Sequence, residues 1–319
     1  MNAAVVQSFD APPRYQPFEE PVPRAGERLV TVTAAGLHPI VKALASGAHY
    51  GSTAAPPFVA GVDGVGRLDD NSRVYFGIVR APYGSFAERA LAPDSMCIPL
   101  PEGLDDATAA GTANPAMSSW VALKTRARFV PGESVLVLGA TGIAGHLAVQ
   151  IAKQMGAHRV IACGRNPQAL EEVRDLGADA IVSLDQQHDA LVAALRSEIA
   201  SGGVDVVLDY LWGPPAQATL EALAQKSLSA TAPRVRYVQI GSSAGGTIPL
   251  PAATLRSSGL ELLGSGFGSA SLEQIRTAIA EFFAVAAVHP LRTSVTTAPL
   301  REVESLWNAR ESARLVFLP

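Results

Sequence analysis

The sequence is poor in charged residues, which make up 17% of its 319 positions, whereas about 25% is typical of a globular domain. Hydrophobic residues make up 48%, and an extended disordered chain needs the opposite balance, so that class is excluded. At roughly 150 residues per domain, the length predicts two domains, or else one large one. Glycine and proline are more frequent than average without reaching low-complexity levels, which indicates a compact protein with many turns.

Other absences narrow the function classes further. Lysine and arginine form no block and the net charge is −4, which argues against a nucleic-acid partner. The two cysteines, Cys97 and Cys163, are too few for a disulfide framework, so a cytoplasmic location is expected. The N-terminal segment lacks the pattern of a signal peptide. No apolar run reaches the roughly 18 residues of a membrane span, so no membrane partner is expected.

The pattern of residues changes near Pro115. Before it, short β-type runs at 29–34 and 74–79 alternate with Pro and Gly, which predicts an irregular, mostly antiparallel β domain. After it, strands alternate with helices, which predicts right-handed βαβ units and a parallel sheet. The predicted strands are 134–139, 159–163, 180–182, 204–209, 235–240, 260–263 and 314–318. The predicted helices are 118–127, 146–155, 167–176, 189–199, 216–225 and 271–288.

The most specific local pattern is the run VLVLGATGIAG at 135–145, which lies between a predicted strand and a predicted helix. Gly142 lets the backbone approach a pyrophosphate, Gly145 lets the helix pack on the strand, and the helix N-terminus offers free N–H groups. Ala140 stands where the dinucleotide fingerprint usually has its first glycine. The alternative is a tight turn without a ligand. The predicted cofactor contacts in this loop are Ala140, Thr141, Gly142, Ile143, Ala144 and Gly145.

The end of the second strand indicates which dinucleotide is bound. An NAD site usually has an acid about 20 residues after the glycine loop, which bonds the ribose 2′-hydroxyl. The stretch 161–168 has no acid and contains Arg165, whose guanidinium suits a 2′-phosphate. The cofactor is therefore predicted to be NADP(H), with Gly164, Arg165 and Asn166 as further contacts. The alternative is that Arg165 is a solvated loop residue.

These motifs together identify a family resemblance over nearly the whole chain. They are AAGLHP at 34–39, PFVAGVDGVG at 57–66, GSFAE at 84–88, PLPEGL at 99–104, the glycine loop, and QIGSS at 239–243. The chain resembles the medium-chain dehydrogenase/reductase superfamily, in its zinc-independent quinone oxidoreductase and enoyl reductase branch. The resemblance implies an α/β fold with a GroES-like β domain and a Rossmann domain with a doubly wound parallel sheet. The expected boundaries are 1–117 and 267–319 for the GroES-like catalytic domain and 118–266 for the Rossmann domain.

The resemblance also allows the residues at the zinc-binding positions of relatives to be compared with this chain. Zinc-dependent relatives have Gly-His-Glu where this chain has Gly61, Val62 and Asp63, and a valine side chain cannot ligate zinc. The structural-zinc lobe of closely spaced cysteines is also missing, because two distant cysteines cannot form a four-cysteine site. No metal is therefore predicted, which favours NADPH-driven reduction over reversible alcohol oxidation.

Reduction of a quinone or an activated alkene needs a donor to the developing oxyanion. Tyr50, His38 and Ser118 are predicted to be catalytic, because relatives place a tyrosine, an asparagine and a threonine in similar segments. Each has an alternative: Tyr50 packs a loop, His38 is a surface or packing histidine before Pro39, and Ser118 caps a helix. The predicted substrate contacts are Asn114, Tyr210 and Trp212. The predicted nicotinamide contacts are Gly241 and Ser242, which end a strand at the sheet's carboxyl edge, and Phe267.

The sequence thus predicts an NADPH-dependent enzyme that reduces quinones or α,β-unsaturated carbonyls. A 2-enoyl thioester reductase is one alternative, suggested by the Asn114-Pro115 pair, which resembles that branch. A catalytically weak NADPH-binding sensor or structural protein is another. A homodimer is expected, because relatives pair an edge strand of the Rossmann sheet and the strand near Leu260 is apolar.

Overall fold

A computed structural model describes residues 1–224, 232–309 and 313–319. The chain divides into two compact units. The split unit consists of Met1–Pro115 and Arg276–Pro319, and the inserted unit is Ala116–Ile275.

The first part of the chain consists of short strands and few helices. Its strands are β1 (Asn2–Val6), β2 (Arg14–Pro17), β3 (Glu27–Gly36), β4 (Phe58–Val59), β5 (Asp63–Arg67), β6 (Arg73–Gly77), β7 (Arg89–Pro93) and β8 (Cys97–Pro99). Its helices are α1 (Pro39–Ala45), a short 3₁₀ turn (Asp94–Met96), and α2 (Asp106–Trp120), which continues into the inserted unit.

The inserted unit alternates strands with helices, as the sequence predicts. A π-helical segment (Val121–Ala127) follows α2. The strands are β9 (Ser134–Leu138), β10 (Arg159–Gly164), β11 (Ala180–Ser183), β12 (Val206–Asp209), β13 (Arg234–Gln239) and β14 (Gly259–Gly264). The helices are α3 (Ile143–Gln154), α4 (Pro167–Asp175), α5 (His188–Gly202), α6 (Gly213–Leu223), α7 (Ala252–Arg256) and α8 (Leu272–Val288), which runs on into the split unit. The predicted end of α6 at Gln225 lies outside the described residues.

The six strands form one parallel sheet in the order β11-β10-β9-β12-β13-β14. This is the doubly wound order whose reversal point lies beside β9. All five residues of β9 are buried, because helices cover both faces of such a sheet. The glycine loop follows β9 directly, so it lies at the carboxyl edge of the sheet beside the reversal point.

The last elements belong to the split unit. They are β15 (Val295–Pro299), a 3₁₀ turn (Leu300–Glu302), α9 (Val303–Leu306) and β16 (Arg314–Leu318). Strand β16 pairs with both β15 and β3, so it lies inside a larger sheet ordered β15-β16-β3-β5-β6-β8, to which β7 adds by pairing with β3. A smaller sheet has the order β2-β1-β4. The buried residues Phe76, Phe86 and Phe317 are among those that form the core between these strands.

The prediction of a helix over 118–127 was wrong about where the helix begins. Helix α2 begins at Asp106 and contains Pro115, and residues 121–127 are π-helical. Proline in a helix interior costs about 3 kcal/mol. Ala109, Ala110 and Ala113 are almost fully buried on the same helix. Helix α2 thus keeps its proline in a part of the chain where it buries a small-residue face, and the local sequence pattern did not reveal this packing.

Candidate functional site

The glycine loop has the geometry of a backbone cradle. Gly139 has φ +89°, and its N–H and that of Ala140 donate to the carbonyl of Cys163 on β10 (3.0 and 2.9 Å). A Cβ added at Gly145 would lie 2.2 Å from the Gly139 carbonyl oxygen, whereas one at Gly142 would meet only that oxygen, at 3.6 Å. Gly145 is therefore required for packing, and Gly142 leaves the open approach that a pyrophosphate needs.

Alanine is tolerated at position 140 for a visible reason. The residue that needs the left-handed backbone is Gly139, one position earlier, and Ala140 is not among the residues with positive φ. The Ala140 methyl group is fully buried. Helix α3 begins at Ile143 after Gly142, which is extended at φ −91° and ψ 164°. The first N–H groups of α3 therefore point toward the loop, as anion binding requires.

The end of β10 lies against this loop. A Cβ at Gly164 would lie 2.3 Å from Cγ2 of Thr141, so the glycine allows β10 to end directly beside the loop. Arg165 is exposed, and the Asn166 side chain caps α4 by accepting the Ala169 N–H (3.2 Å). This cap fixes the start of α4, and Arg165 lies directly after the end of β10 at the carboxyl edge. These residues fit a dinucleotide with a 2′-phosphate.

Two further predicted residues meet in the inserted unit. The Ser118 hydroxyl lies 3.3 Å from the Tyr210 hydroxyl. Burial raises the pKa of Tyr210 to about 12, while hydrogen bonds with Ser118 and Ser119 act in the opposite direction. The phenol is therefore protonated at neutral pH and is a hydrogen-bond donor. Tyr210 directly follows β12, so this pair lies at the same edge of the sheet as the glycine loop.

Phe267 lies in a loop that is fixed by hydrogen bonds to its neighbouring residues. Arg126, in the π-helical segment, donates to the carbonyls of Gly264 (2.7 Å) and Ser269 (3.0 Å). The Gly266 N–H donates to the Ser269 hydroxyl oxygen (2.8 Å). The Phe267 side chain is exposed.

In the split unit, His38 belongs to a buried polar cluster, which consists of His38, Asp63, Tyr75, Asn114 and Arg314. His38 Nε2 is 3.6 Å from Asp63 Oδ1, and the Tyr75 hydroxyl donates to Asp63 Oδ2 at 2.5 Å. Arg314 donates to the carbonyl of Leu37 (2.8 Å). His38 and Asp63 are both almost fully buried.

Burial dominates the electrostatics of this cluster. It raises the pKa of Asp63 to about 6, although hydrogen bonds from Tyr75 and Asn114 and the charge of Arg314 lower it. Burial and the Arg314 charge hold the pKa of His38 well below its usual range, so the imidazole is neutral. Burial also lowers the pKa of Arg314 to about 10. At neutral pH, the cluster therefore has one carboxylate and one guanidinium around a neutral histidine.

Tyr50 lies apart from this cluster. Its side chain is 74% exposed and stacks on His49, with ring centroids 4.2 Å apart. Trp212 lies at the start of α6, and its ring packs edge-to-face on Tyr237. Gly241 lies close to Tyr210, because a Cβ there would be 2.8 Å from the Tyr210 carbonyl oxygen. Ser242 follows in the same turn.

Sequence reasoning used Asp63 only in the argument about zinc and did not single out Tyr75 or Arg314. A signal was present, because Asp63 and Arg314 each begin a strand and are followed directly by glycine or apolar residues. An ionisable residue in such a run is normally buried only with a partner. Within the described ranges, no group of three or more His, Cys, Asp or Glu side chains is placed to hold a metal ion. Nor does the described part of the chain contain a helix long and apolar enough to cross a membrane.

Comparison with known proteins agrees with this geometry. A family model for zinc-binding dehydrogenases matches residues 144–284. A probable NADPH-dependent quinone reductase from Emericella nidulans is 28% identical, and the match covers all of both chains. The predicted resemblance to the medium-chain dehydrogenase/reductase superfamily, in its quinone oxidoreductase branch, is confirmed.

Two other known proteins are similar to this chain. The quinone oxidoreductase of Thermus thermophilus, solved also in complex with NADPH, is 29% identical, with a TM-score of 0.81 and 100% of each chain covered. A trans-enoyl reductase from Aspergillus terreus is 27% identical over 68% of this chain and 62% of the relative. The predicted GroES-like and Rossmann fold is confirmed.

Proposed function

We propose that this protein is an NADPH-dependent oxidoreductase that reduces quinones or α,β-unsaturated carbonyls by hydride transfer without zinc. The observation that carries this proposal is the glycine loop between β9 and α3, beside a β10 end that has Arg165 and no acid. The full-length relatives named for NADPH-dependent quinone reduction support it. The substrate is a small molecule. Val62 supports the zinc-free assignment, because its side chain cannot ligate a metal.

The residues at the carboxyl edge have distinct proposed roles. The loop from Ala140 to Gly145 and the start of α3 bind the pyrophosphate, and Gly164, Arg165 and Asn166 receive the 2′-phosphate end. Gly241, Ser242 and Phe267 contact the nicotinamide. Bound NADPH supplies the hydride. Nothing further in the catalytic step needs a metal when hydrogen-bond donors stabilise the developing oxyanion.

Three groups are proposed to serve the acceptor. The Tyr210 phenol, which remains protonated and contacts Ser118, is positioned to donate to a carbonyl oxygen. His38 is neutral and buried, so it retains one N–H to donate. Tyr50, Asn114 and Trp212 are each proposed to contact the substrate.

A second candidate is reduction of an enoyl thioester. The Asn114-Pro115 pair and the similarity to a trans-enoyl reductase favour it. The two candidates use the same hydride chemistry and differ in the group that carries the alkene. A panel containing a quinone, an alkenal and an enoyl thioester separates them by the acceptor with the highest kcat/KM.

Association and location are proposed from strand β14 and from the two cysteines. Strand β14 pairs with β13 on one side only in the described part of the chain, and Leu262 on it is partly exposed. This edge is the proposed homodimer contact. Cys97 and Cys163 are both free thiols, which supports the proposed cytoplasmic location.

The cofactor assignment has a direct test. The wild type should bind NADPH at least tenfold more tightly than NADH in calorimetric titration, because only NADPH offers a 2′-phosphate to Arg165. Arg165→Ala should remove this preference by weakening NADPH alone. Arg174→Ala, an exposed arginine on α4 that pairs with Glu171, is the matched control and should leave both affinities unchanged. Equal NADPH and NADH affinities in the wild type would contradict the assignment.

A further inference from the structure

Asp209 ends β12 as a fully buried carboxylate with three hydrogen bonds. Its Oδ1 accepts the N–H groups of Leu211 (2.8 Å) and Trp212 (2.9 Å), and its Oδ2 accepts the hydroxyl of Tyr237 (2.8 Å). A buried carboxylate with this many donors is fully satisfied. Its hydrogen bonds to the backbone hold the turn after β12 in one conformation.

That conformation is strained at one residue. Trp212 has φ +54° and ψ −156°, a region that essentially only glycine occupies. A bulky residue persists there only when its surroundings force it. The Asp209 bond to the Trp212 N–H and the packing of the indole on Tyr237, with centroids 6.4 Å apart, provide that force.

The strained turn is packed against the neighbouring turn of the same edge. The Ile240 and Gly241 N–H groups donate to the Asp209 carbonyl (2.7 and 3.1 Å), and the Ala244 N–H donates to the Leu211 carbonyl (2.8 Å). A Cβ added at Gly213 would lie 2.5 Å from the Ala244 carbonyl oxygen. The turns 210–213 and 241–245 therefore form one block, which we call the carboxyl-edge ledge.

The ledge also reaches the glycine loop. A Cβ at Gly139 would lie 3.0 Å from Cδ2 of Leu211 and 3.4 Å from Cβ of Tyr210. Leu211 and Tyr210 therefore lie next to Gly139, and Tyr210 also lies next to Gly241. In open parallel sheets, ligands bind outside the carboxyl ends of the strands at this point of the topology.

We propose that Asp209 is a positioning residue for the nicotinamide half of the bound cofactor. By holding Trp212 in its strained conformation, the carboxylate fixes the ledge on which Tyr210 and Gly241 are presented. The 2′-phosphate half binds at Gly164 and Arg165 and does not depend on the ledge. This inference rests on the proposed function, because it assumes that NADPH is the ligand.

The test compares two ligands that share the adenine half. Calorimetric titration of Asp209→Ala with NADPH should show affinity at least tenfold weaker than wild type, because the ledge relaxes. The same variant should bind 2′-phospho-ADP-ribose, which lacks nicotinamide, within twofold of wild type. Asp209→Asn should keep NADPH affinity within threefold, because its amide oxygen still accepts both N–H groups.

Asp205→Ala is the matched control. Asp205 immediately precedes β12 and accepts the Ser134 N–H (2.8 Å), so it is a similar carboxylate at the opposite edge of the sheet. Its removal should leave both affinities unchanged. This control separates a general loss of stability from the effect on the ledge.

A double-mutant cycle tests the role of strain. In a Trp212→Gly background, the turn adopts its conformation without being forced, so Asp209→Ala should weaken NADPH less than threefold. If Asp209→Ala weakens the affinity for both ligands equally, or leaves the NADPH affinity unchanged, the positioning role of Asp209 is wrong. The proposed function would not be affected by either result. A wild type that binds neither ligand would overturn the proposed function, and this inference with it.

Discussion

The strained backbone of Trp212 leads to a prediction about stability. It concerns the free energy of unfolding of Trp212→Gly compared with that of Trp212→Ala. Both variants lose the indole, so the lost packing cancels between them. Alanine retains a Cβ in a glycine-only conformation, which costs about 1–3 kcal/mol. Relative to alanine, glycine lowers the free energy of unfolding by about 0.4–1 kcal/mol, because it gives the unfolded chain more conformational freedom. We therefore expect the glycine variant to be the more stable by about 1–2 kcal/mol.

Trp120 provides the control, because it is buried at the end of α2 with ordinary helical angles of φ −61° and ψ −50°. There, the order should be reversed, with Trp120→Ala more stable than Trp120→Gly by about 1 kcal/mol. Thermal unfolding followed by far-ultraviolet circular dichroism measures both pairs on the full chain. At about 2–4 °C per kcal/mol for a unit of this size, the melting temperatures of the Trp212 pair should differ by about 2–8 °C. Equal stability of the alanine and glycine variants at position 212 would show that the backbone there is not strained.

Three further predictions concern the site. Gly145→Ala should weaken NADPH affinity at least tenfold in titration, because the added Cβ would lie 2.2 Å from a backbone oxygen. The control Gly246→Ala, whose Cβ would meet nothing within 4 Å, should keep the wild-type affinity, and equal affinities of the two variants would contradict the cradle. Asp63, whose pKa is raised from 3.8 to about 6, contributes stability that is complete below pH 4 and is lost as the pH rises through 6. The expected loss in the free energy of unfolding is about 3 kcal/mol. Urea unfolding of Asp63→Asn should lack this decline with pH, and parallel pH profiles of the wild type and the variant would exclude the contribution of Asp63. Tyr210→Phe should lower kcat about tenfold at saturating NADPH while the NADPH dissociation constant stays within twofold; an unchanged kcat would remove the phenol from the proposed mechanism.

The strands of the inserted unit could be predicted well because their signal is local. Strand β9 is a continuous apolar run that ends at glycine, and such runs occur in sheets covered on both faces. The start of α2 could not be predicted, because Pro115 marks a boundary in most local contexts. Helix α2 also buries Ala109 and Ala113, and this packing depends on the tertiary structure.

The same distinction applies to the candidate site. Gly142, Gly145 and Arg165 carry a recognisable spacing, so the cofactor could be predicted from the sequence. Trp212 gives no sign of its strained backbone, because the force on it comes from Tyr237, 25 positions away, as well as from the local Asp209 carboxylate. The partners of His38 are equally remote, since Arg314 lies 276 residues further along the chain.

The position of β16 has a consequence for synthesis of the chain. Strand β16 pairs with β3 and β15 inside the larger sheet, and it supplies Arg314 to the buried cluster around His38 and Asp63. On a ribosome, the N-terminal strands and the whole inserted unit emerge before this strand does. The inserted unit can therefore fold while the nascent β domain still lacks an internal strand and the cation that balances Asp63. The split unit completes its core and its charge balance only after β16 has emerged from the ribosome. Until then, its early strands remain incompletely paired, so their apolar side chains are exposed or covered by a chaperone.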